Sequence, residues 1–138
     1  MSKPAVNWQP LSTLPLIASM IDGMLEDAEQ QYATLVQCRP TPHLLDDATV
    51  DRVNQVYFGQ AEFLGLYEEQ FARWSKLVLS QAQREEVNRL TTELPLLSTR
   101  IAAILALAKE LKHGTIEAVL AKSDLELGLE ALFSKNKP

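Results

Sequence analysis

The chain has 138 residues, 46% of them hydrophobic and 22% charged, and a formal net charge of −5. This length fits one domain with a sizeable core, and the composition is ordinary for a globular protein in water. The acidic balance and the lack of a Lys/Arg cluster argue against nucleic acid as a partner, because phosphate binding requires basic side chains.

The sequence favours a cytoplasmic protein without membrane contact. Cys38 is the one cysteine, so no internal disulfide can form. The first residues contain no apolar run of signal-peptide length. No stretch approaches the roughly 18–20 uninterrupted apolar residues of a membrane span.

Residues 1–11 are predicted to form an extended N-terminal arm, because they contain two prolines and no hydrophobic periodicity. Trp8 is the exception in this arm. A lone tryptophan there ties the arm to the body of the protein in the favoured interpretation, and it contacts a partner in the alternative. Trp8 is therefore a candidate partner-binding residue.

The first helix is predicted from Ser12 or Thr13, which can cap it, to about Cys38, before Pro40. Its apolar residues recur at intervals of mostly three or four, as on one face of a helix. They are Leu14, Ile17, Ile21, Met24, Ala28 and Leu35.

The second helix is predicted from Asp46 to Leu79, with Asp46 or Asp47 as its cap. Its apolar seam is long, has Gln60 as its one polar member, and is wide enough to contact two neighbours, so we expect this helix in the middle of a bundle. The seam consists of Val50, Val53, Tyr57, Gln60, Leu64, Tyr67, Phe71, Trp74 and Val78.

Ser80 and Gln83 have the spacing of a capping box and are predicted to begin the third helix, which should end at Gly114. Pro95 lies inside this helix and predicts a kink or a short break near residues 91–95. The apolar stripe is otherwise unbroken: Val87, Leu90, Leu94, Leu97, Ile101, Ile104, Ala108 and Leu111.

Two short helical segments follow, one from Thr115 through Ala121 and one that a capping box at Ser123 begins and that runs through Phe133. The predicted fold is all-α: an antiparallel up-down-up bundle of three long helices with a short, broken C-terminal fourth helix. Residues 12–133 form this single domain, and 134–138 are a polar tail.

No sequence motif strongly indicates a catalytic or metal-binding site. Glu110 and His113 have the Glu-x-x-His spacing of di-iron bundles, but such a site needs two of these motifs and two more glutamates. Cys38 and His43 flank a proline loop with no third group to orient the histidine. We predict no catalytic residue, metal or cofactor, and we favour a protein that is not an enzyme.

Phe58, Gly59, Gly65 and Leu66 are predicted to form an apolar strip that lies off the seam of the second helix. Three coverings are possible: the C-terminal segments, which we favour, a second copy in a homodimer, or a helix of another protein. If the C-terminal segments cover the strip, a chain truncated after Lys112 should lose much of its stability.

Two functions remain open. The favoured one is a non-enzymatic adaptor, chaperone or regulator that binds another protein by a helix-in-groove contact, with the apolar strip and Trp8 as its surface. The alternative is an enzyme or small-ligand binder with a polar site inside the bundle at Gln31, Gln60, Tyr57 and Tyr67. Gln60 either fixes the register of the second helix or pairs with another polar group of the core, such as Gln31. The sequence does not define the client, the pathway or the oligomeric state.

Overall fold

The computed structural model describes residues 6–135, so parts of the predicted arm (1–5) and tail (136–138) lie outside the described residues. Residues 6–135 contain four α-helices: α1 (Leu14–Gln37), α2 (Asp47–Ser75), α3 (Gln81–Lys112) and α4 (Ile116–Lys135). Short 3₁₀ helices lie at Leu11–Thr13 and Pro42–Leu44, and the described residues contain no strand. Within α4, the structure does not describe the side chains of Ser123, Leu127, Glu130, Ala131, Phe133, Ser134 and Lys135.

Two helices begin at their predicted caps. Asp46 Oδ1 accepts a hydrogen bond from the Thr49 N–H at 2.8 Å at the start of α2. Ser80 Oγ accepts from the Gln83 N–H at 3.1 Å, and the Ser80 N–H donates to Gln83 Oε1 at 2.9 Å. This capping box satisfies backbone donors that have no partner inside α3.

The order of ion pairs along the helices shows the up-down-up arrangement. In the ion pairs that join α1 to α3, the residue numbers increase in the same direction along both helices, so these helices are parallel. By contrast, Asp51 near the start of α2 contacts Lys112 at the end of α3, with 2.6 Å between Oδ1 and Nζ. Helix α2 is therefore antiparallel to α3. The pairs from α1 and its C-terminal end to α3 are Asp22–Arg89, Glu29–Arg100 and Arg39–Glu110.

Helix α3, not α2, is the central helix, which corrects the prediction. It packs along both α1 and α2, whereas α1 and α2 approach each other at few points. It supplies nine buried residues, against six from α1 and five from α2. Several seam positions of α2 are only half-buried, including Val53, Gln60 and Leu64. The wide apolar face of α2 is thus not fully used.

Two further details of α2 and α3 differ from expectation. Helix α2 ends at Ser75, and Val78 is fully exposed in the turn rather than in the core. Helix α3 continues through Pro95 without the predicted break. Thr91 and Pro95 are both exposed, so water can bind the Thr91 carbonyl that proline leaves without its helical donor.

The predicted break in the fourth helix is also absent, since α4 is helical from Ile116 to Lys135, although the capping box proposed at Ser123 lies among the undescribed side chains. Among the side chains of α4 that the structure describes, the expected covering of the bundle is not formed. Six large apolar side chains of α4 are 39–65% exposed, and Phe58 on α2 is 60% exposed. The six are Ile116, Val119, Leu120, Leu125, Leu129 and Leu132.

The base of α4 is held against the loop before α2, so the helix starts in a fixed direction. The Ile116 N–H donates to the Leu45 carbonyl at 2.9 Å, and the Thr115 hydroxyl donates to Asp47 Oδ1 at 2.6 Å. Gly114 is required here, because a Cβ at this position would lie 2.7 Å from Cγ of Pro42. These contacts anchor the turn between α3 and α4 and leave the rest of α4 beside the bundle.

Candidate protein-binding site

An apolar groove with a volume of about 640 Å³ runs between α2 and α3, and we call it the α2–α3 groove. Its floor includes the buried side chains of Phe71, Leu94 and Ile101. Because the helices are antiparallel, its walls come from the middle of both. The lining residues are Ala61, Leu64, Gly65, Glu68 and Phe71 from α2, and Thr91, Leu94, Pro95, Ser98, Ile101, Ala102 and Leu105 from α3.

Small residues on both walls keep the groove open. On α3, Thr91, Pro95, Ser98 and Ala102 are spaced four, three and four residues apart, which places them on one side of the helix. Gly65 lies opposite on α2, and a Cβ added to it would meet nothing within 4 Å. A side chain or helix from outside can therefore enter at this point without moving the backbone.

The residues of the predicted apolar strip do not share one surface. Gly65 lines the α2–α3 groove, whereas Leu66 lines a cleft on the α1 side of α2. Successive helical residues are turned by about 100°, so neighbours in sequence lie on different faces. Phe58 is exposed and Gly59 is half-buried, and neither lines the groove or the cleft.

The second surface is a cleft between α1 and α2, in which the N-terminal arm lies. The arm is bound there by Gln70, a polar side chain that is only 5% exposed. The Gln9 N–H donates to Gln70 Oε1 at 2.7 Å, and Gln70 Nε2 donates to the Gln9 carbonyl at 3.4 Å. The indole N–H of Trp74 donates to the same carbonyl at 3.1 Å. Both main-chain groups of one arm residue are thus bound by side chains of α2.

Trp8 lies beside this network and is half-buried. The guanidinium of Arg73 stands 4.2 Å from the centroid of its indole ring, within the range of a cation–π contact. An unfilled space of about 130 Å³ remains in the cleft. We call this region the arm cleft; it is lined by Val6, Asn7, Trp8, Gln9, Ile17, Phe63, Leu66, Tyr67 and Gln70.

The four residues of the predicted polar core do not meet in one cavity. Gln60 Oε1 is buried and accepts no hydrogen bond in the described part of the chain, so the expected pairing of Gln31 to this oxygen is not formed. Burial raises the pKa of Tyr57, and the negative charge of Asp27 adds to this effect. Tyr67 lines the arm cleft, while Gln31, Gln60 and Tyr57 line neither the groove nor the cleft.

The strongest cluster of charges fixes α1 to α3 at Arg89. Its guanidinium contacts Asp22 at 2.8 Å, Glu86 at 2.6 Å and Glu93 at 2.8 Å. Hydrogen bonds from Arg89 lower the pKa of Asp22 and of Glu86. Burial, and then the adjacent Asp22, raise the pKa of Glu93. One arginine thus binds a carboxylate of α1 and two carboxylates of α3. We call Arg89 with Asp22, Glu86 and Glu93 the Arg89 clasp, because it joins the two helices.

The residues considered for metal or thiol chemistry lie apart. Glu110 pairs with Arg39 at 3.2 Å, and His113 is exposed at the C-terminal end of α3. Cys38 is half-buried at the end of α1, and His43 is exposed in the following loop. Among the described residues, no three His, Cys, Asp or Glu side chains are grouped to hold a metal ion.

The segment Gln81–Glu126 contains an 18-residue window with a mean hydropathy of 1.4, which is long and apolar enough to cross a membrane by length and composition alone. It contains α3, whose apolar stripe is the core of the bundle. Core helices pass this test as readily as membrane spans, so it does not decide where the protein is located.

Sequence reasoning missed both surfaces, although each left a signal. The small residues of the groove recur at helical spacing on α3, and Gln70 and Trp74 are four residues apart on one side of α2. The partner of Gln70 and Trp74 could not be found, because hydrogen bonds to the main chain of Gln9 leave no pattern in the side chains. Comparisons with protein-family models, curated proteins and solved structures gave no match.

Proposed function

We propose that this protein is a non-enzymatic binding module that receives an amphipathic helix of another protein in the α2–α3 groove. The observation that carries this proposal is the groove itself, an open apolar channel of about 640 Å³ beside a closely packed core. An amphipathic helix binds such a channel by placing its apolar face between two helices.

The dimensions of the groove fit a short helix. From Ala61 to Phe71 the α2 wall extends over ten residues, which corresponds to about 15 Å along a helix axis. That distance accommodates about three turns of a bound helix, with apolar residues at intervals of three and four. Gly65 and Ala102 allow close approach, because neither has a side chain beyond Cβ.

The charge of the protein suggests the chemistry of the client. Glu68 lines the groove, and the whole chain carries a net charge of −5. An apolar helix flanked by Lys or Arg would gain favourable electrostatic steering, and its association rate would fall with added salt. The client we propose is therefore an amphipathic helix with basic flanks.

The chain's own α4 does not fill the groove, because the contacts of Thr115 and Ile116 fix its base against the loop before α2. The groove can thus be occupied by a client without displacing part of the bundle. Client binding in the cytoplasm, by an adaptor, chaperone or regulator, is the function that we propose on this basis.

Affinity capture from the organism that encodes the chain tests the proposal when a blocked groove is included. Gly65→Arg places a long charged side chain in the groove, where an added Cβ meets nothing within 4 Å. Gly23→Arg on α1 is the matched control, since a Cβ there also meets nothing within 4 Å. Mass spectrometry should find proteins that bind the wild type and Gly23→Arg but not Gly65→Arg.

Two outcomes would contradict the proposal. The first is an identical set of captured proteins with all three chains. The second is a wild-type dimer that Gly65→Arg alone converts to monomer, which would make a second copy the occupant of the groove.

A further inference from the structure

The arm cleft is already occupied by a peptide, the chain's own residues 6–10, which form neither helix nor strand and end at Pro10 with extended backbone angles before the first helical turn. The hydrogen bonds that hold this peptide to α2 go to main-chain atoms of Gln9 rather than to its side chain. A site that binds main chain does not require one particular sequence, and it does not require the peptide to belong to the same chain.

The polar side chains of the cleft bind both main-chain groups of one peptide residue. Gln70 is 5% exposed and uses its amide oxygen and its amide nitrogen on the N–H and carbonyl of one residue. The arm itself contributes to this burial, so an empty cleft would exchange both hydrogen bonds of Gln70 for contacts with water, whereas a replacing peptide would keep them. The indole N–H of Trp74 would lose its acceptor as well.

The chain's own arm fills the cleft incompletely. About 130 Å³ remains open, and its lining includes Asn7 from the arm together with Phe63 and Leu66, two apolar side chains that stay substantially exposed. A larger apolar side chain in place of Asn7 would cover this surface and exclude water from it. The cleft therefore suits a ligand better matched than its present occupant.

We propose that the arm cleft is a second binding site, which takes an extended peptide of a partner protein, and that residues 6–10 occupy it as a built-in competitor. The preferred peptide has a large apolar residue, then an aromatic residue at the position of Trp8, then any residue except proline. Proline is excluded because the N–H that donates to Gln70 Oε1 must be present.

The tether explains why an outside peptide must compete. A segment joined to its site by a short linker acts at a high effective concentration, on the order of millimolar. Weakening the arm without changing the cleft should therefore reveal binding from outside. Gln9→Pro does this in the full chain, because it removes one donor from the arm and leaves Gln70, Trp74 and Arg73 unchanged.

The probe is a fluorescein-labelled peptide with the sequence of residues 1–11, and the measurement is fluorescence anisotropy against full-length protein. The Gln9→Pro chain should bind this peptide at least about tenfold more tightly than the wild type, as expected for the loss of one buried hydrogen bond from the competitor. A peptide that itself carries Gln9→Pro should bind at least about tenfold more weakly than the original peptide. A peptide with Asn7→Leu should bind more tightly than the original.

Two protein controls separate this site from the α2–α3 groove. Adding Gln70→Met to the Gln9→Pro chain keeps a side chain of similar length but removes the amide, so peptide binding should be lost while the helical content is retained. Adding Gly65→Arg should leave peptide binding unchanged, because Gly65 lines the other surface. Failure of the groove proposal and failure of the cleft proposal are therefore distinguishable.

Several results would overturn the proposal. Equal binding of the peptide to wild type and Gln9→Pro would show that the arm does not compete. Equally tight binding of the original and the proline-containing peptide would show that the Gln70 contact is not used. No gain from Asn7→Leu would remove the assigned partner chemistry, and a wild-type dimer that Gln9→Pro dissociates would assign the cleft to the arm of a second copy.

Discussion

Helices α3 and α4 are both rich in large apolar residues, yet one forms the centre of the bundle and the other stays exposed. In α3 the apolar side chains recur along one continuous stripe, and nine residues are buried. In α4, Ile116, Val119 and Leu120 lie on one face, whereas Leu125 follows Ile116 by nine residues, about two and a half turns. Leu125, Leu129 and Leu132 in the second half of α4 therefore lie on the opposite face.

This difference teaches that the phase of the apolar pattern, not the apolar content, decides whether a helix packs. A helix broken near Ser123, as the sequence predicted, could turn both halves of α4 toward one surface. As a continuous helix, α4 cannot bury both faces against one bundle. Its exposed leucines follow from that geometry.

The largest expected effect on stability is the difference between a leucine-to-alanine substitution in α3 and the same substitution in α4. Leu97 is 0% exposed and Leu125 is 65% exposed, and both lie in helix interiors. Leu97→Ala should lower the free energy of unfolding by about 2–5 kcal/mol, because it leaves a cavity in the core. Leu125→Ala should change it by less than about 0.5 kcal/mol. Urea unfolding followed by circular dichroism measures both, and similar losses would break the comparison.

The second prediction concerns Pro95 in α3 and Gly128 in α4, two residues that disfavour a helix. Proline is about 3 kcal/mol less favourable than alanine inside a helix, so Pro95→Ala should stabilise the bundle by up to that amount. Gly128→Ala removes a cost of about 1 kcal/mol or less within α4. Since α4 lies outside the core, this change should leave the unfolding midpoint of the bundle unaltered. A rise in the midpoint with Gly128→Ala would mean that α4 unfolds together with the bundle.

The third prediction uses the Arg89 clasp, which joins α1 to α3 and does not involve α4. Arg89→Gln should destabilise the protein at pH 7 by about 1 kcal/mol or less, since the pairs are solvent-exposed for the most part. Arg84→Gln, earlier on the same helix, is the control, because the described residues place no carboxylate within ion-pair distance of Arg84.

The pH dependence of this loss follows from the carboxylates. Folding lowers the pKa of Asp22 and Glu86 below their ordinary values of 3.8 and 4.5, so their contribution is present above those values. It disappears as the pH falls through the lowered pKa values of the folded state. Glu93 has the opposite sign, because its raised pKa favours proton uptake by the folded state. The wild type and Arg89→Gln should thus converge in stability as the pH falls below 3.8 and through the lowered pKa values of the folded state, and a constant difference would count against the clasp.

The smallest expected effect is that of shortening α4. A chain that ends at Leu120 keeps Thr115 and Ile116, which anchor the turn, and loses Leu125, Leu129 and Leu132. Its melting temperature should match that of the full chain, and it should bind less of a dye that reports exposed apolar surface. A lower melting temperature with increased dye binding would show that the second half of α4 covers the bundle.

The sequence predicted those parts of the fold that depend on neighbours along the chain. The caps at Asp46 and Ser80, the stripe of α3 and the up-down-up order all follow from spacing and short links. It did not predict the central position of α3, because the width of an apolar face does not determine how much of it is covered. The arm cleft was also missed, since Gln70 binds main-chain atoms that every residue except proline carries in full.

Amide hydrogen exchange of the full chain, measured by mass spectrometry, tests most directly the claim that α1–α3 form a complete bundle with α4 outside its core. We expect the amides of α3 between Leu90 and Leu107 to exchange only through global unfolding. The amides of α4 beyond Leu120 should exchange orders of magnitude faster. Equal protection of α3 and α4 would contradict this account, because it would show that α4 packs on the bundle and occupies surface that we assign to a client.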